Sequence, residues 1–208
     1  MTPFQLNLKN NLIHLDFSSE ELDLYDKFHE VLKEWNAKFN LISRKSFDVA
    51  HASHFADSIL ISDIAKAHRK GRKVKDFGSG AGFPGLVFAI RNPGVEIELV
   101  ERSTKKLSFL GEVKTLLNLS WVSLKPEIKK IPQPVLVMAR AVMPPPELLS
   151  FMFEMVSIGS VIVVNVGGEG AVLPVNGFHC IDDKTYELPA GFGSRKCVLF
   201  EKVSRGTL

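Results

Sequence analysis

From residue 73 onward, short apolar runs alternate with helix-length amphipathic segments, and this alternation restricts the fold more than any other feature of the chain. VKDF reads as a buried strand, PGLVFAIRN as a helix started by Pro84, VEIELVE as a strand, and STKKLSFLGEVKTLLNL as a helix capped by Ser103 or Thr104. WVSL, PVLVMARA and SVIVVNV continue as strands, with PPELLSFMFEMVS a helix between the last two. Repeated strand–helix units with right-handed crossovers predict an α/β fold built on a doubly wound, mostly parallel sheet. After Gly170 the pattern weakens, and TYELP and RKCVLFEKV read as two closing strands, paired antiparallel at the sheet edge.

Residues 1–70 read differently, as a helical extension packed on the α/β unit of residues 71–208. Ser18 followed by Glu21 is a capping-box pattern, and Leu22, Tyr25, Phe28, Leu32, Trp35 and Phe39 recur at helical spacing as a packing stripe. A second helix is predicted across SFDVAHASHFADSILISDIAKA; its His51, His54 and Asp57 share a face and read as ordinary surface or interhelix polar residues rather than metal ligands. At 208 residues the chain can bury one sizeable core, and 45% hydrophobic with 24% charged residues excludes a disordered polymer. There is no signal-peptide-like apolar run and no uninterrupted stretch of the roughly 18 apolar residues that a membrane span needs. Cys180 and Cys197 lack CxxC spacing, so neither zinc nor a disulfide framework is expected, and a reducing cytoplasm fits. A formal charge of +3 permits nucleic-acid contact without establishing it, and HRKGRKVK reads as a solvated helix end and loop.

The chemistry concentrates in KDFGSGAGFPG, Lys75 to Gly85, a glycine-rich turn between a strand and a helix. Gly80, Gly82 and Gly85 satisfy G-x-G-x-x-G, which by itself suits a dinucleotide as well as S-adenosylmethionine. Asp76 at the strand end favours the second ligand, because a pyrophosphate seeks positive potential whereas an ammonium and a sulfonium favour a nearby acid. Glu101, ending the next strand, suits the two ribose hydroxyls of either ligand. The alternative is a tight turn made by glycines with Asp76 as a cap.

DFGSGAGFPGL, ELVERSTKKLSFL and MARA, preceded by LKEWNAKFNLI and HFADSI, together resemble the small-subunit ribosomal RNA guanine-N7 methyltransferases, the glucose-inhibited division protein B family, over Leu24 to Ala141. The resemblance implies a class I S-adenosylmethionine-dependent methyltransferase, with a Rossmann-like seven-stranded sheet, that methylates N7 of a guanine in 16S ribosomal RNA. It implies cofactor contacts by Asp76, Gly78, Ser79, Gly80, Gly82, Phe83, Glu101, Ser103, Pro126, Glu127 and Arg140, with Glu101 on the ribose and Pro126 and Glu127 beside the adenine. Arg140 is the expected catalytic residue, reaching the methionine carboxylate or the target base, with the cofactor side favoured. Phe83 and Arg140 also admit plain readings, as a core aromatic and a surface ion pair. Arg44, Lys45, Lys105, Lys106 and Lys125 are expected to meet RNA. The implied partner is small-subunit RNA or the 30S subunit, and a monomer without metal or membrane association is expected. Two departures from the family pattern stand out: Lys125 replaces an arginine and Asn165 a lysine. The competing functions are a non-catalytic RNA-binding protein that keeps the fold and an NAD-dependent oxidoreductase.

Overall fold

The computed structural model describes residues 1–167 and 176–204; the glycines that end NVGGEG and the last four residues lie outside the described residues. Among the described residues, seven strands form one sheet: β1 (Lys73–Phe77), β2 (Ile97–Val100), β3 (Val122–Lys125), β4 (Val135–Arg140), β5 (Val161–Gly167), β6 (Phe178–Glu187) and β7 (Ser194–Lys202). Their spatial order is β3-β2-β1-β4-β5-β7-β6. The first five strands pair in parallel, and β7 runs antiparallel to both neighbours. The closing pair is therefore antiparallel as expected, but β7 inserts between β5 and β6, and β6 begins at Phe178, well before TYELP. Apart from Phe178, few β6 side chains are buried, as suits an outer strand, and this hides it from an apolar-run reading. Strand order reverses between β1 and β4, which opens a crevice at their carboxyl ends.

The described residues include seven α-helices: α1 (Pro3–Asn11), α2 (Ser19–Phe39), α3 (Arg44–Asp48), α4 (Ala56–His68), α5 (Gly85–Arg91), α6 (Thr104–Leu116) and α7 (Pro145–Met155). Ser18 caps α2 by accepting from the Glu21 N–H at 3.0 Å, but the Glu21 carboxylate serves Arg91 and Tyr25 rather than closing a capping box. Along the stripe of α2, Leu22, Tyr25, Phe28 and Leu32 are buried, whereas Phe39, in the last turn, is 39% exposed and packs on Trp35 and Lys105. The single helix predicted over residues 46–67 is instead α3, a π-helical turn at His51–Phe55, and α4. The wider turn re-aims the side chains of the HASHF segment, and such turns are frequent at functional sites.

Neighbouring residues on β4 point to opposite faces, as the pleat requires. Leu136 and Met138 join a core shared with α1, α2, α4, α5 and α6. Val135, Val137 and Ala139 join one with α7, β6 and β7. The N-terminal helices thus pack on the sheet, and they carry His54 and Asp57 to the carboxyl end of β4.

Candidate active site

The glycine-rich loop leaves β1 under tight backbone control. Gly78, Gly80 and Gly82 have φ of 77°, 57° and 86°, in the left-handed region where a side chain is penalised. The Gly78 and Ser79 N–H groups both donate to the Val100 carbonyl, at 2.9 and 3.1 Å. From the next strand end, Glu101 accepts from the Gly80 N–H at 2.9 Å and from the Ser103 N–H at 2.8 Å. Ser103 in turn accepts from the Lys106 N–H as the N-cap of α6. One buried carboxylate therefore ties the loop to the start of α6, and each of its oxygens keeps a second lone pair for a ligand hydroxyl.

Asp76 behaves otherwise than expected. It is 0% exposed and turns beneath the loop, where Oδ2 accepts from the Gly85 N–H at 3.1 Å and Oδ1 has no partner. Burial, opposed by hydrogen bonds, pushes its carboxyl from 3.8 up to about 7. With the folded pKa above the unfolded one, the native state binds the extra proton. Stability is therefore present below about pH 4 and is lost as pH rises toward about 7. Between pH 4 and 8 the wild type is expected to lose up to about 4 kcal/mol relative to Asp76→Asn, measured by urea unfolding of both proteins across that range. Parallel pH profiles would contradict the buried-acid assignment.

Two cavities open at the carboxyl edge. A groove of about 590 Å³ is lined by Gly78, Gly80, Glu101, Lys106, Pro126 and Glu127, with Phe77, Ile128 and Phe151 among its apolar walls. Beside it lies a cavity of about 720 Å³ that includes Lys45, His54, Asp57, Arg140, Asn165 and Arg195. Both share Ala141, Val142 and Met143, the segment that follows β4. Ala141 holds φ of 55°, a costly conformation for a residue with a Cβ, at the boundary between the two spaces.

In the second cavity Arg140 is held from three sides. Nη1 donates to Asp57 Oδ2 at 2.9 Å, Nη2 lies 3.0 Å from His54 Nδ1, and the guanidinium sits 5.5 Å from the centroid of the Phe83 ring. Burial first, and the Arg140 charge second, push the His54 imidazole down to about 4, so the neutral ring accepts from the guanidinium through Nδ1. Phe83 stacks on both His54 and Phe28, which anchors this assembly in the core.

The structure gathers Gly78, Gly80, Glu101, Pro126 and Glu127 in one groove, and separates from it several residues expected on the cofactor. Asp76 and Ser79 are buried below the loop, the Ser79 hydroxyl donating to the Asp76 carbonyl. Gly82 packs against Leu86 and Phe28, since any Cβ there would strike both. Phe83 is a core aromatic beneath Arg140, and Ser103 is a helix cap. Arg140 faces the second cavity rather than the groove, because Asp57 and His54 draw its side chain toward α4. Among the expected RNA contacts, Lys45 lines the second cavity and Lys106 the groove. Lys105 lies 4.5 Å from the Phe39 ring centroid, Arg44 is exposed, and Lys125 joins Lys129 and Lys130 around a separate hollow. His54 and Asp57 are marked in the sequence by their i, i+3 spacing and by the HFADSI segment of the resemblance, without a role attached, and Tyr186 and Arg195 carry no local signal.

The fold and this paired-cavity edge define a class I S-adenosylmethionine-dependent methyltransferase architecture. O-methyltransferase TomG from Streptomyces achromogenes, solved in complex with SAM, shares it at a TM-score of 0.58 and 10% identity, over 98% of this chain and 100% of that one. The chain belongs to the GidB family, rRNA small subunit methyltransferase G, which it matches over residues 21–169. It is 46% identical over 99 residues to ribosomal RNA small subunit methyltransferase G 3 of Bdellovibrio bacteriovorus, covering 47% of this chain and 45% of that protein. It is 32% identical over 161 residues to ribosomal RNA small subunit methyltransferase G of Acetivibrio thermocellus, covering 74% and 66%. The chain spans about half the length of several of the curated relatives it matches.

Proposed function

We propose that the protein transfers the methyl group of S-adenosylmethionine to N7 of a guanine in small-subunit ribosomal RNA, with residues 71–208 as the transferase unit and residues 1–70 as a helical extension. The observation that carries this reading is the meeting of two cavities at Ala141, Val142 and Met143, one lined by Gly78, Gly80, Glu101, Pro126 and Glu127 and the other by Lys45, Asp57, Arg140 and Arg195. The groove suits the cofactor on its own chemistry. Gly78 and Gly80 present backbone without side chains, Glu101 retains acceptor capacity for a ribose diol, and Pro126, Glu127 and Ile128 border the place of an adenine. When bound, S-adenosylmethionine supplies an electrophilic methyl on a sulfonium.

The residues of the second cavity then orient the nucleophile. Guanine N7 carries an in-plane lone pair, so no side chain has to remove a proton before attack. Arg140 uses two of its five N–H donors on Asp57 and His54 among the described residues, which leaves donors for guanine O6 beside N7. This base-side role fits its position better than a cofactor role. Orienting guanine N7 toward the bound methyl donor would supply up to roughly 7–11 kcal/mol of the barrier reduction in favourable cases. The names of the relatives support small-subunit ribosomal RNA as the substrate. The test is transfer of labelled methyl from S-adenosylmethionine to naked small-subunit RNA and to 30S subunits, followed by reverse-transcription mapping of N7-methylguanine. One modified guanine is expected, and no transfer to either substrate would overturn the proposal.

Lys45 and Lys106, one in each cavity, would meet phosphates around the target in this reading. Replacing each with glutamine should weaken RNA binding and lower the slope of log affinity against log salt by about one per lysine. Filter binding between 50 and 200 mM salt, roughly the range over which such contacts are strongly screened, measures the slope. An unchanged slope would assign both side chains to solvent.

A further inference from the structure

We infer that Tyr186, acting through Asp57 together with Asn165, is a positioning residue for Arg140 in methyl transfer, an inference that rests on the base-orienting role proposed for Arg140. Asp57 is only 3% exposed and receives three donors: Arg140 Nη1 on Oδ2 at 2.9 Å, and on Oδ1 the Tyr186 hydroxyl at 2.7 Å and Asn165 Nδ2 at 3.0 Å. Asn165 Nδ2 also donates to the Tyr186 oxygen at 3.0 Å, which closes a triangle behind the carboxylate. One oxygen of Asp57 is thereby pinned by neutral groups, and the other is left to the guanidinium. The angle of Arg140 toward the cavity then follows from where Tyr186 and Asn165 hold Asp57, with His54 setting the second edge.

The three residues come from elements that meet only in the folded sheet: Asp57 from α4, Asn165 from β5 and Tyr186 from β6. Tyr186 lies beyond the family match of residues 21–169. Its register partner on β7 is Arg195, which lines the same cavity, so the outer hairpin delivers both a buried hydroxyl and a second cation to one place. Burial beside Asp57 keeps the phenol above its ordinary pKa, so it remains a donor at any neutral pH. A lysine in place of Asn165 would set a second cation against Asp57 and divide its charge. Asparagine leaves that charge to Arg140.

The experiment is a kinetic double-mutant cycle on the full chain with small-subunit RNA, using Tyr186→Phe in the wild-type and Arg140→Lys backgrounds, with cofactor affinity measured by calorimetry. Loss of the hydroxyl should lower kcat roughly ten- to hundredfold, the worth of one hydrogen bond to a charged group. Affinity for S-adenosylmethionine should be unchanged, and the fall should largely vanish in the Arg140→Lys background. Asn165→Ser, which spares the phenol ring, should give a smaller fall with the same dependence on Arg140. An equal fall in both backgrounds, or a Tyr186→Phe enzyme with wild-type kcat, would overturn the positioning role alone. A wild-type protein that methylates no small-subunit RNA would overturn the functional reading and this inference with it.

Discussion

Gly78→Val is expected to abolish measurable binding of S-adenosylmethionine and, with it, methyl transfer. Gly78 holds φ of 77°, and a Cβ built there lies 2.5 Å from Cγ2 of Val142, in the segment shared by both cavities. A β-branched residue is least able to adopt the left-handed region, at a cost on the order of 1–2 kcal/mol before any clash. Its bulk would also fill the groove where backbone must approach the ligand and would drive Val142 toward the second cavity. The loss should exceed a hundredfold in calorimetric affinity, equivalent to about 2.7 kcal/mol. Gly78→Ala should fall between the two, since its single methyl meets the same Val142 atom. If both variants fold by circular dichroism and bind with wild-type affinity, the groove is not the cofactor site.

Arg140→Ala should damage stability and catalysis together. The pair it breaks is largely buried, with side-chain exposures of 16% for Arg140 and 5% for Asp57, so the carboxylate would be stranded with only neutral donors. Removing one partner of such a pair costs roughly 3–5 kcal/mol, and the cavity would lose the donors proposed for guanine O6. The two effects separate in Arg140→Ala/Asp57→Asn. Neutralising the stranded acid should recover most of the stability in urea unfolding while kcat stays low. Recovery of activity along with stability would reduce Arg140 to a structural ion pair.

The legible part of the molecule was its local grammar. Strand and helix alternation from residue 73, the glycine loop and the acid at Glu101 are short-range patterns, and each maps to one element or one turn. The helix capped at Ser18 was equally visible, because an N-cap and an apolar stripe are written within a few turns of chain. Local pattern and structure diverge where one signal serves two structures. HASHFADS kept a helical apolar rhythm through a π-helical turn, and β6 carried too little apolar alternation to mark its start at Phe178.

The sequence by itself determined the α/β class, the glycine loop, the groove residues at two strand ends and the family resemblance, since periodicity and turn chemistry are properties of neighbouring residues. Only the tertiary structure decided what those residues face. Asp76 and Asp57 are both aspartates beside apolar runs. One turns beneath a loop and accepts from the Gly85 N–H, and the other anchors Arg140, Tyr186 and Asn165 from three separate elements. Arg140 points to the second cavity because Asp57, 83 positions earlier in the chain, is brought within 2.9 Å of it. Such a choice depends on burial and on the direction of side chains from distant segments, and a charge withdrawn from water must find its partner wherever the fold places one.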